Sequence, residues 1–187
     1  MKSWLLGVGL LLTNLAFGQT VQEGLHLMDR HQPSRAKQVF ENLVAAQPTG
    51  ENFFYLGYYH LNQRDWDNAR KAFDAGKAAE PKNFLNQVGI ASILVGQNKV
   101  NDAKIDFDRI LAETKNKNID VMFRIAEAYT MYYILGKDEA FNAANNDPAE
   151  AIRLIDAIQD RLMKDKKLPT PEQYLIKGDA YLIKNDG

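Results

Sequence analysis

The stretch ENFFYLGYYHLNQRDWDNARKAFDAGKAAEPKN, Glu51–Asn83, decides the fold. Its apolar residues recur three and four positions apart, the spacing of one helix face. The aromatics of NFFYLGYYHL nearly encircle their helix, which predicts burial on more than one side. A polar turn at Gln63–Asp65 separates this helix from a second one that ends before Pro81. Proline lacks an N–H and clashes with the preceding turn, so a helix stops there.

Working outward, the same landmarks return. Gly57, Ala69, Phe73 and Pro81 are preceded 33 residues earlier by Gly24, Ala36, Phe40 and Pro48. Ala69 and Phe73 recur 34 residues later as Ala103 and Phe107, with Ala91 at the glycine position. Similar polar turns, HQPSRA, RDWDNA, NKVNDA and NDPAEA, join the helices of each pair. A fixed period of this length is the mark of a stacked repeat. Small residues let paired helices approach, so Gly57 is set against Ala69, Gly24 against Ala36 and Ala91 against Ala103. Phe40, Phe73 and Phe107 are expected to fill the space between units. One unit cannot bury its own apolar face, and stacking supplies the shared core.

These residues resemble the tetratricopeptide repeat family. The match is fullest in Glu51–Asn83, with Phe53, the pair Leu56-Gly57, Trp66, Ala69, Phe73 and Pro81; His60 stands where the family has tyrosine, and Gly76 replaces an alanine. It is weaker in the first copy, where Thr20 and Glu23 occupy normally apolar sites, and in the third, at Gln87. The resemblance implies an all-α, right-handed α-solenoid of tandem helix-turn-helix repeats, with about four full units plus the first helix of a fifth. The expected organisation is a signal peptide over 1–18 and an array over 19–187. Its units run roughly 19–49, 50–83, 84–118, 119–169 and 170–187, the last incomplete.

The fourth unit is irregular. Tyr129 to Ala151 spans 22 residues where the corresponding Leu94 to Ala103 spans 9, so an insertion falls near 130–147. The first helix is expected to continue to Leu135 and close at Gly136. Asp147-Pro148 followed by Glu150 then makes a helix start. The insertion reads either as a neutral elaboration or as a partner-contacting element. The fifth unit opens at TPEQYLIKGDAYLIKNDG with Tyr174, Gly178 and Tyr181 in register, and the sequence stops where its second helix is due. On that pattern the chain reads as the front of a longer interaction protein.

Composition narrows the function classes. The 187 residues are 45% hydrophobic and 25% charged, enough apolar mass for a core. Lys plus Arg number 23 against 24 Asp plus Glu, which gives no electrostatic footprint for nucleic acid or anionic lipid. Cysteine is absent, which removes thiol nucleophiles, disulfides and Cys-zinc sites. At the N-terminus, Lys2, the uncharged apolar run Trp4–Leu15, and the small residues Ala16 and Gly18 read as a cleavable export signal, the alternatives being an uncleaved anchor or a buried helix. Without a cysteine after the cleavage site the protein is not a lipoprotein. The mature chain is expected to begin at Gln19, to have no membrane span, and to be exported to the periplasm or associated with the envelope.

No catalytic, metal or cofactor motif stands out. His26, His31 and His60 read as turn or helix-surface residues, and no H-E-x-x-H occurs. Asp106–Asp108 resembles a calcium-loop fragment but lacks the glycine and sits in a helical pattern. Lys164–Lys167 falls at a helix end, where cations favour the dipole. The remaining candidate is a surface.

The family resemblance implies that the first helices line a concave face. Phe54, Val88, Phe123 and Leu175 would form one apolar row there, with Tyr58, Ser92, Glu127 and Asp179 beside it. Chaperone-binding members clamp a carboxylate with Lys and Asn at such sites; these residues exclude that clamp and suit an apolar or basic peptide. The competing reading packs Phe54, Val88 and Phe123 on neighbouring helices. Glu127 with Asp179 is the one suggestion of an acid–base pair. Function is therefore expected to be a noncatalytic protein–protein scaffold with a protein or peptide partner and no cofactor. The alternative is an N-terminal adaptor of a longer envelope protein.

Overall fold

A computed structural model describes residues 20–131 and 147–185. The export signal and most of the fourth-unit insertion lie outside the described residues. These residues form α1 (Val21–Asp29), α2 (Pro33–Ala46), α3 (Gly50–Asn62), α4 (Trp66–Ala79), α5 (Leu85–Gly96), α6 (Val100–Glu113), α7 (Ile119–Ala128), α8 (Pro148–Lys164) and α9 (Pro171–Asn185). No strand occurs among the described residues. The chain is an all-α solenoid of consecutive helix pairs. α1, α3, α5 and α7 each pack on the second helix of their own pair, and α3 also packs on α5, and α5 on α7, so the first helices form one continuous layer.

Local chemistry sets the boundaries. Thr20, Thr49, Asp65, Asn118 and Asp147 cap helix N-termini, each side chain accepting a backbone N–H three residues on. Such caps satisfy donors that a helix start leaves orphaned. Pro33 and Pro148 open α2 and α8, where no N–H is needed. α2 and α4 end just before Pro48 and Pro81. His31, Arg64 and Asn98 adopt positive φ just beyond α1, α3 and α5, so the period is written in the turns as well.

The predicted partner of the conserved-spacing glycine needs correcting. A Cβ on Gly57 would lie 2.4 Å from the Phe73 ring, and one on Gly24 the same distance from the Phe40 ring. The glycine therefore makes room for the phenylalanine rather than for Ala69 or Ala36. A Cβ on Gly89 of α5 would also meet Phe73 at 2.4 Å, so this ring is clasped between two units. At the register of Gly89 the preceding unit has Tyr55, which stacks on Phe40 at 6.3 Å between centroids.

That difference divides the core. Leu27, Ala36, Val39, Phe40 and Tyr59 form a small cluster under α1 and α2. A larger one runs from Phe54 through Phe73, Val88, Phe107, Ile125 and Ile155 to Ala180. Two other expectations change. His60 is buried, with Nδ1 3.0 Å from Asp65 Oδ2, and so ties the end of α3 to the cap of α4. α7 closes at Ala128, short of Leu135. Residues 132–146 lie outside the description.

Candidate functional site

The first helices enclose a concave groove of about 1380 Å³. One wall is α1, with Glu23, Leu25, Met28 and Asp29; the facing wall is α9, with Glu172, Leu175 and Asp179. Tyr58 of α3 and Phe123, Arg124 and Glu127 of α7 make the floor.

The floor is built by a bridge over α5. The Tyr58 hydroxyl donates to Glu127 Oε1 at 2.9 Å, across 69 residues of sequence. Arg124 donates to Glu127 Oε2 at 2.8 Å from one turn earlier on the same helix. The Arg124 guanidinium also lies over the Tyr58 ring at 4.9 Å, Phe123 at 5.4 Å, Phe54 at 5.5 Å and Tyr55 at 5.7 Å. α5 permits this because it presents the small residues Gly89 and Ser92, with Val88, below the bridge, beside a water-sized void of about 20 Å³. Ser92 turns its hydroxyl back to the Val88 carbonyl at 2.9 Å.

Electrostatics follow from burial. Burial raises the Tyr58 phenol well above its ordinary pKa, and the Glu127 charge raises it further. Burial alone would lower the Arg124 pKa; the Glu127 carboxylate and Tyr58 outweigh it, and the guanidinium stays charged. Each Glu127 oxygen accepts one of these bonds, so this carboxylate acts as a structural bridge between α3 and α7. A desolvated cation over aromatic faces contributes about 0.5–2 kcal/mol per favourable contact.

The candidate row therefore splits. Phe54, Val88 and Ser92 are 2%, 1% and 4% exposed and belong to the core, so they present no surface in the groove. Each is covered because another first helix follows. Tyr58, Phe123, Glu127, Leu175 and Asp179 do line the groove together.

Sequence reasoning missed Arg124 and the α1 wall. Two signals were available. Arg124 and Glu127 are opposite charges at i,i+3, and Leu25 stands 33 residues before Tyr58, in the same register.

Residues 21–84 match the tetratricopeptide repeat family. The chain is also similar to tetratricopeptide repeat protein 1 of Schizosaccharomyces pombe, 25% identical over 81 residues. That alignment covers 43% of this chain and 8% of the relative's length. Among solved structures it is similar to MamA 41-end from Desulfovibrio magneticus RS-1, with 12% identity, 88% and 90% coverage of the two chains, and a TM-score of 0.45. A MamA RS-1 double mutant gives the same identity and TM-score over 88% and 92%.

Proposed function

We propose that this member of the tetratricopeptide repeat family is an exported, noncatalytic scaffold that binds a protein partner in its concave groove. The observation that carries this reading is the groove itself. Four first helices, α1, α3, α7 and α9, contribute to one concavity, and its floor is fixed by the Tyr58–Glu127–Arg124 bridge before any partner arrives. A preorganised site avoids part of the ordering cost of association. At about 1380 Å³ it exceeds the roughly 300–1,000 Å³ of a small-molecule pocket and suits a polypeptide segment. The apolar run Trp4–Leu15 behind Lys2 supports export, and no helix of the described residues is long and apolar enough to cross a membrane. On this reading the export signal would direct the scaffold to the periplasm or envelope.

Photo-crosslinking tests both parts. A crosslinker at Leu25, Phe123 or Leu175 in the native cell should give a discrete protein adduct, while one at Lys71 or Arg153 on second helices should not. Equal yields from both sets, or adducts from the second helices alone, would overturn the groove reading. The same preparation reports export. The mature chain should begin at Gln19 in the envelope fraction, and a chain retaining Met1–Gly18 in the cytoplasm would refute it.

A further inference from the structure

Charge is unevenly placed in this nearly neutral protein. The whole chain carries 23 basic and 24 acidic residues. The groove, however, is lined by Glu23, Asp29, Glu127, Glu172 and Asp179 against one Lys or Arg, Arg124. Arg124 is spent on Glu127, with both side chains 15% exposed or less. Four carboxylates remain, two on α1 and two on α9, facing one another across the opening.

Elsewhere the fold pairs many of its acids. Glu41 meets Lys37, Asp74 meets Arg70, Glu113 meets Arg109, and Glu150 meets Arg153. In the groove, Glu172 is held only at its own helix start, by the backbone and the Thr170 hydroxyl. Asp179 is half-buried with no cation beside it among the described residues, and burial pushes its carboxyl above the usual range. Carboxylates on two low-dielectric walls add their fields inside the cleft between them. Leu25 and Met28 on one wall, Phe123 on the floor and Leu175 on the other wall supply apolar surface beside these carboxylates.

We infer that the groove receives a cationic, amphipathic protein segment. Its apolar side chains lie on Phe123 and Leu175. Its Lys or Arg side chains reach Glu23 and Asp29 on one wall and Glu172 and Asp179 on the other. The volume holds about ten residues of helix at 1.5 Å rise and the usual helix diameter. Nucleic acid and anionic lipid carry the wrong charge for this cleft. The inference rests on the groove being the binding site and adds the chemistry of the occupant.

Three fluorescein-labelled 12-residue peptides with identical leucine spacing test it, their polar positions filled by Lys, by Gln or by Glu. Anisotropy should show the Leu/Lys peptide bound about ten-fold or more tighter than the Leu/Gln peptide at low salt, with the preference shrinking as salt rises. Combining Glu23→Gln, Asp29→Asn, Glu172→Gln and Asp179→Asn should abolish the preference and leave Leu/Gln binding in place. Removing the same charge outside the groove, through Glu51→Gln, Asp67→Asn, Asp102→Asn and Asp160→Asn, should leave the preference intact.

Equal loss in both variants would reduce the effect to net charge and overturn the inference, as would equal binding of the Leu/Lys and Leu/Gln peptides. Met28→Ser with Leu175→Ser, with helicity verified, separates this failure from failure of the groove. If that pair weakens every peptide while no charge preference exists, the groove stands and only the cationic occupant falls. If it weakens none, the groove reading falls with it.

Discussion

α3 and α9 occupy the same place in their repeats, yet they live in different surroundings. Phe54 and Leu175 share a register, as do Gly57 with Gly178 and Tyr58 with Asp179. Phe54 is 2% exposed and Leu175 66%. A Cβ on Gly57 collides with Phe73, whereas one on Gly178 meets nothing within 4 Å. Tyr58 is bonded to Glu127, and Asp179 is partly buried with no counter-charge among the described residues. The repeat assigns a position along the helix, and the neighbouring helices decide what that position is worth. α3 has α4 and α5 on its flanks; among the described residues no helix follows α9.

Substitutions at matched positions can break this comparison. The largest contrast is at the core position. Phe54→Ala should cost about 3–5 kcal/mol by cavity formation, while Leu175→Ala should stay within about 0.5 kcal/mol. Chemical denaturation of both variants checks it, and a similar loss at both sites would mean that Leu175 is covered in solution.

Next comes the glycine pair. Gly57→Ala forces the Phe73 ring to move in a packed site and should cost about 1–3 kcal/mol. Gly178→Ala removes a helix-interior glycine from open space and should gain about 0.5–1 kcal/mol. Opposite shifts in Tm from one chemical change would sharpen the comparison more than any magnitude.

The third pair has the smallest effect at its weaker member. Tyr58→Phe loses a hydrogen bond to a charged acceptor and should cost about 1.5–3 kcal/mol. Asp179→Asn should gain a little stability near neutral pH, because it removes a partly desolvated charge. The sign follows from linkage. The folded pKa of Asp179 is raised, so near that pKa the native state binds more protons than the unfolded one, and stability falls as pH rises through that range. The gain of the asparagine variant should therefore vanish below about pH 4, near the ordinary aspartate pKa. A gain that persists in acid would assign it to packing. Should the same substitution weaken cationic peptides, Asp179 is a residue kept for binding at the expense of stability.

The landmarks Gly, Ala, Phe and Pro were legible because each answers to a local demand: close approach, filling, or stopping a helix. The helix start at Asp147-Pro148 was equally local. The bridge was not. Tyr58 and Glu127 are 69 residues apart and meet only because α5 narrows at Gly89 and Ser92. Nor does any window of sequence say that α1 and α9 face one another, since that relation accumulates from small rotations between successive units. The row Phe54, Val88 and Ser92 failed as a surface for a related reason. A helix face reads the same whether the next helix covers it or solvent does.

The small cluster beneath α1 and α2 bears on how the cleft is entered. Phe73 interlocks two units through Gly57 and Gly89, whereas Phe40 seats on the glycine of its own unit, Gly24, and meets the next unit through the rings of Tyr55 and Tyr59. The α1 wall is thus suspended from a satellite core joined to the rest through fewer interlocked side chains. Cooperative units of lower local stability open first. Amide protons of α1 and α2 should exchange sooner than those of α3 to α5, with the α2–α3 connection serving as the hinge. If the groove binds as proposed, a long segment would be admitted sideways by swinging this wall, without threading its end through the opening.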